Sequence, residues 1–233
     1  MKRTLTLTAV LMLLACSILS ACAAGAIEAQ EQTWYVVSHS EDYRVYYFAT
    51  VTNTGDKPAS VNDLLFEIQD ASDTTIESTS KYKLYPEVLE AGQTGWLVIS
   101  KDVKDIENKS DIDHYNLTIT TKVNDDKAVR PLTATAEYIE KDEDDNEDVI
   151  RATVTNETEQ TAFDITIASA VFDADGKLLY ITGDAAKGIG VAAGNSFMQR
   201  SLIRSDIMDA LEDNQQQIAS AQSIAYTVED LDD

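Results

Sequence analysis

The chain is poor in the residues that build reactive or covalently stapled sites. Among its 233 residues are 2 cysteines, 2 histidines, 3 prolines and 9 glycines. Both cysteines, Cys16 and Cys22, stand near the start. If one is discarded and the other modified, no disulfide can close in the remainder, and no cysteine is left as a nucleophile or metal ligand. His39 and His114 fall in polar contexts without a spacing such as His-x-x-x-His, and both read as ordinary surface residues. A Gly-rich phosphate loop and a Gly-x-Ser-x-Gly elbow are also missing. Cations are scarce, with 18 Lys and Arg against 41 Asp and Glu, giving a formal net charge of −23. So acidic a surface repels phosphate backbones and anionic headgroups, and no nucleic-acid partner is expected. The acidity itself reads as a solvated exterior.

What the chain does have begins with an export signal over residues 1–21. Lys2 and Arg3 form a basic start, an apolar run follows from Leu5 to Leu14, and small residues precede a cut. Leu19, Ser20, Ala21 and Cys22 resemble the lipobox of bacterial lipoproteins: an aliphatic residue, two small residues and the cysteine that is lipidated. The resemblance implies cleavage before Cys22, acylation of Cys22 and attachment to a membrane. Leu13-Leu14-Ala15-Cys16 fits less well, because Leu14 is bulky where a small residue is expected. An uncleaved spanning helix is the competing reading, but the run is interrupted by Ser17 and Ser20 and falls short of the ~20 residues that cross a bilayer. Residues 22–32 carry the lipidated cysteine and a small, polar stretch without periodicity, which reads as a tether.

From Trp34 onward, short alternating runs rich in Val, Thr, Tyr and Ile are separated by turn residues, the pattern of an all-β sandwich. The chain then repeats itself at a period of roughly one hundred residues. Val51-Thr52-Asn53 recurs as Val154-Thr155-Asn156, Asp70-Ala71 as Asp173-Ala174, and Ala91-Gly92-Gln93 as Ala193-Gly194-Asn195. Two tandem units follow, 33–127 and 128–233, with the boundary in the turn-rich stretch 124–131. The repeat assigns faces, because strand side chains alternate. Tyr47, Ala49 and Val51 align with Ile150, Ala152 and Val154 as an inward set. Tyr46, Phe48 and Thr50 align with Val149, Arg151 and Thr153 as an outward one. Leu64, Phe66 and Ile68 match Ile167, Ser169 and Val171 inside, so the second core is repacked or smaller at Ser169. A short helix is expected near residues 206–213 with Ser205 as its cap, and a last strand over residues 223–228.

These features resemble the FxLYD domains of exported and lipid-anchored bacterial proteins. Phe66-Glu67-Ile68-Gln69-Asp70 keeps the Phe, an aliphatic and the Asp; Ser169-Ala170-Val171-Phe172-Asp173 keeps an aliphatic, an aromatic and the Asp. The resemblance implies two tandem immunoglobulin-like or fibronectin-like antiparallel β-sandwiches with no established catalytic residues.

Two places stand out as candidate contacts. Tyr46 and Phe48 are aromatics on the outward face, a surface suited to a sugar ring or another protein, unless a loop or the neighbouring unit covers them. Asp142, Asp144, Asp145, Glu147 and Asp148 crowd one turn and offer oxygen ligands of the kind Ca²⁺ takes, although the turn lacks the spacing of an EF-hand. Asp173-Ala174-Asp175-Gly176 reads as a hairpin turn instead. No cofactor is expected beyond a Ca²⁺ that this acidic turn could hold. The sequence therefore points to a non-enzymatic, exported protein, lipid-anchored on the outer face of a bacterial cell membrane, acting as spacer or binding module toward a protein or carbohydrate. The alternative is an accessory lipoprotein that captures Ca²⁺ or a cationic solute for a transporter or envelope enzyme.

Overall fold

Alternation of β-branched and aromatic residues with polar ones becomes strand throughout the computed structural model, which describes residues 25–143 and 146–231. The first half contains β1 (Ile27–His39), β2 (Asp42–Asn53), β3 (Ala59–Gln69), β4 (Thr75–Thr79), β5 (Lys83–Tyr85), β6 (Thr94–Val103) and β7 (His114–Val123). The second contains β8 (Lys127–Ile139), β9 (Val149–Thr155), β10 (Ile165–Phe172), β11 (Leu178–Ala186), β12 (Ser196–Leu202) and, after helix α1 (Ser205–Asp213), β13 (Ser220–Asp230). All pairings between these strands are antiparallel, and the fold is all-β. Among the described residues no helix is long and apolar enough to cross a membrane. Leu19, Ser20, Ala21 and Cys22 lie outside the described residues, as do Asp144 and Asp145.

In the first half a sheet of order β1-β2-β6-β5 packs on a sheet of order β4-β3-β7. Tyr47, Ala49 and Val51 from β2 meet Leu64, Phe66 and Ile68 from β3 in its core, each no more than 1% exposed. The second half repeats these orders, without a counterpart of β5, as β8-β9-β12 and β11-β10-β13. Ala152 and Val154 there meet Ile165, Ile167 and Ala225. The two halves differ at β8. Its first residues pair with β13 and its last with β9, so all six strands are joined in one sheet. Pro131 does not end the strand, because at its level β8 is paired on one side only, with Tyr226 opposite. A residue without an N–H is tolerated at such an edge.

The shared tripeptides are structural devices that recur in both halves. Asn53 is fully buried and donates through Nδ2 to the carbonyls of Lys57 (2.8 Å) and Leu89 (2.9 Å). Asn156 does the same to Gln160 and Val191, both at 2.7 Å. Each amide ties the end of its strand to two loop carbonyls, adding a second donor at Leu89 and Val191, which also accept from the N–H groups of Ala59 and Ala162. Asp70 accepts from the backbone N–H groups of Ser72 and Thr74, and Asp173 from those of Asp175 and Lys177. The turn position with positive φ is Asp73 in one copy and Gly176 in the other. The recurrent aspartate is thus a turn-former, and Asp173-Ala174-Asp175-Gly176 is the hairpin its sequence predicts.

Two expectations need correction. Residues 27–32 are not a free tether: β1 begins at Ile27, and a register shift between Ala29 and Gln32 breaks the alternation that would have revealed a strand. The helix begins at Ser205, with Arg204 at the capping position and no side-chain cap, because a guanidinium has no acceptor to offer the free N–H groups of the first turn. Ser169, replacing the apolar Phe66 of the first copy, stays buried by bonding to Ser223 Oγ at 2.6 Å.

Candidate functional site

Register across the first sheet sets up the site. Thr33, Phe48, Val98 and Lys83 stand in one row of partners, and Tyr35, Tyr46 and Ser100 in the next. All project from the face opposite to that of Tyr47, since neighbours in a strand alternate. The outward placement of Tyr46 and Phe48 therefore holds, but their exposure does not. Tyr46 is 6% and Phe48 1% exposed. The second half covers them, with Leu178, Leu179, Tyr180 and Ile181 of β11 and Ile207 and Leu211 of α1 packed in the same cluster. Phe48 meets Tyr180 edge-on at 5.3 Å between ring centroids and lies parallel to Tyr46 at 6.1 Å.

Polar contacts lock this junction in register. Thr33 Oγ1 donates to the Leu178 carbonyl at 2.6 Å, and the Leu178 N–H donates to Glu31 at 2.7 Å. Tyr35 donates to Gln216 at 3.1 Å and Tyr85 to the Gly183 carbonyl at 3.3 Å. Gly183 has a steric reason to be glycine: a Cβ there would fall 2.5 Å from the Tyr85 ring. The face that sequence reasoning offers to another molecule is thus spent on the chain's own second half. Its signal was readable, because Leu178–Ile181 is apolar on both faces, as in strands buried on two sides.

At one margin the two halves do not close, leaving a cleft of about 330 Å³. Tyr46, Phe48, Tyr85 and Tyr180 form its inner wall, and Lys81, Lys83 and Arg204 are its charged lining residues. No carboxylate among the described residues lines it, in a chain whose net charge is −23. Among the described residues neither Lys81 nor Lys83 has a carboxylate within 4.0 Å. Arg204 is held: it grips Asp206 through two hydrogen bonds (2.9 and 3.0 Å) and lies over the Tyr46 ring at 5.5 Å. Tyr46 in turn donates to Asp206 at 3.1 Å.

Titration follows from this arrangement. Burial is the largest single influence on Asp206 and opposes ionisation, yet Arg204 and Tyr46 together hold its carboxyl below the usual range. Burial, helped by Asp184, pushes the Tyr85 phenol up to about 12, and burial also raises Tyr35, Tyr46 and Tyr180. Near neutral pH these phenols are therefore protonated and Asp206, which pairs with Arg204 outside the lining, is ionised; the cleft itself presents Lys81, Lys83, Arg204 and phenol hydroxyls. Such a set can hold an anion. Sequence reasoning missed Lys81 and Lys83, although a Lys-Tyr-Lys run in so acidic a chain was the available signal.

The acidic turn is arranged differently. Asp142 points inward, its side chain 5% exposed, and its carboxylate accepts from Arg151 at 3.3 Å and Arg200 at 3.5 Å. Both contacts fall on Oδ2, so this carboxylate already has cationic partners that a Ca²⁺ would have to displace. Asp148 accepts from the Tyr138 hydroxyl at 2.6 Å, and Glu147 is exposed. Among the described residues no three His, Cys, Asp or Glu side chains gather as a metal site. His114 bridges Asp73 and Asp113 at 3.1 and 3.0 Å in the first half.

No protein-family model matches the chain, and no curated protein matches it. Among solved structures it is similar to a chain described as "Structure of infectious bursal disease virus Gx strain", at 6% identity and a TM-score of 0.21, covering 91% of this chain and 68% of that one. A likeness of that size carries no argument about fold or function.

Proposed function

We propose that this protein is a non-catalytic, lipid-anchored extracytoplasmic module, held at the outer face of a bacterial cell membrane through Cys22. Its two FxLYD-like units act together as one spacer and binding body. The Leu19–Cys22 tetrad supports the anchoring. The observation that carries the single-body reading is the aromatic junction, where Tyr46 and Phe48 are buried against β11 and α1 instead of facing solvent. Units strung on a flexible linker would expose those faces; here they are one core. With β1 beginning at Ile27, little chain separates Cys22 from the first sheet, and the body would sit close to the bilayer.

Labelled palmitate tests the anchor. It should enter the wild-type chain and leave Cys22→Ala unlabelled, with the variant released from the membrane fraction. Equal labelling of both would remove the anchoring part of the proposal. Of the two capture modes, cation binding at the acidic turn is weakened by the engagement of Asp142, and binding at the junction cleft is favoured by Lys81 and Lys83, which have no carboxylate within 4.0 Å among the described residues.

A further inference from the structure

We infer that the junction cleft is a binding site for a small acidic sugar, the carboxylate or phosphate seated at Lys81 and Lys83 and the ring lying against the aromatic wall. The inference adds a ligand class and a site to the binding-module reading, but it does not depend on lipidation.

Charge comes first. In a chain with 18 cations and 41 anions, three cations and no anion among the described residues line this one cleft. Arg204 already has Asp206 as partner. Among the described residues Lys81 and Lys83 have no such partner, so they can meet an anion without first losing an ion pair. Lysine serves there as a point charge with three donors, suited to either carboxylate or phosphate. Ser100 and Thr182 add hydroxyl groups at the same margin, which can pair with hydroxyls of a ligand.

Size and shape narrow the class. A volume of about 330 Å³ lies at the small end of small-molecule sites, enough for one or two rings. The inner wall is aromatic and immobile, since Phe48, Tyr85 and Tyr180 are each less than 10% exposed and packed in the junction core. Binding there freezes few rotors on the protein side. Long polyanions are disfavoured for an electrostatic reason: beyond the cleft they would run over an acidic surface, whereas a ligand no larger than the cleft meets its cations alone. An acidic peptide added as an extra strand is disfavoured by geometry. The adjacent edge strand, β5, has only three residues, and Tyr85 bridges from it to Gly183 across the junction.

The test is amide NMR of the full chain, titrated separately with digalacturonate, glucose 6-phosphate and maltose. Expected is saturable binding of at least one acidic sugar with shifts confined to Ser100, Thr182, Gly183 and their neighbours, and no binding of maltose. The carboxylated and phosphorylated arms identify which anion is preferred. Lys81→Glu/Lys83→Glu should weaken that binding about tenfold or more while leaving the melting temperature unchanged, because both lysines are exposed. Three results would each overturn the inference: no cleft shifts with either acidic sugar at millimolar concentration, equal binding of maltose, or undiminished binding by the folded double variant. Shifts at the cleft with an oligoglutamate peptide but with neither sugar would assign the site to acidic peptide instead and overturn it too.

Discussion

Truncating Phe48 to alanine separates a shared core from two units that merely touch. Phe48 is 1% exposed, and its burial comes from both halves: Tyr35 and Tyr46 on its own sheet, Tyr180 across the junction at 5.3 Å. Removing a fully buried Phe costs about 3–5 kcal/mol, comprising lost transfer energy and the cavity left behind. The edge-on contact with Tyr180 supplies about 0.5–1.5 kcal/mol of that. Were the second half not seated there, Phe48 would be a surface residue and the change would fall within about 0.5 kcal/mol. Urea unfolding of the full chain, followed by tryptophan fluorescence, reads the difference, since Trp96 lies in the same cluster. The expected result is a loss of about 3 kcal/mol or more with an early-melting junction. A loss below about 1 kcal/mol, with the wild-type transition shape kept, would refute the reasoning.

Other outcomes follow from the same contacts. Asn53→Ala and Asn156→Ala should each cost about 1–3 kcal/mol by chemical denaturation, because each removes a buried amide that bonds two loop carbonyls, although the Leu89 and Val191 carbonyls keep the N–H groups of Ala59 and Ala162 as donors. Asp142→Ala should cost about 1–3 kcal/mol, discounted because Arg151 and Arg200 are about a third exposed, and millimolar Ca²⁺ should not raise the melting temperature of the wild type. Alkali should open the junction. A phenol whose folded pKa is raised gives stability that is complete below its ordinary value of 10.0 and is lost as pH rises through the folded value, about 12 for Tyr85. Phenolate absorbance rising between those limits should coincide with loss of structure, and free titration of every tyrosine near pH 10 without unfolding would contradict this.

Strand alternation and the internal repeat made much of this fold legible, and for a physical reason. Residues such as Tyr47, Leu64 and Val154 are buried by partners within their own half, so their periodicity reports their environment directly. Asn53 and Asp70 were visible as repeated letters, but their work, tying loops and shaping turns, depends on backbone atoms that a sequence does not place. Tyr46 and Phe48 registered as anomalies because their burial comes from residues far along the chain, Tyr180 and Leu211 among them. Ile27 was lost to the shift at Ala29, which puts strand residues out of phase. The cleft was hidden further still. Lys81 and Lys83 meet Thr182 and Arg204 only after the halves have docked, and no local pattern encodes that meeting.

Whether the two halves form one body is best decided by residual dipolar couplings measured on the backbone amides of both. Shared burial of Phe48, Tyr85, Tyr180 and Ile207 requires that β2 and β10 report one alignment tensor, unchanged across the temperature range below unfolding. Two distinct tensors for the halves would contradict the account.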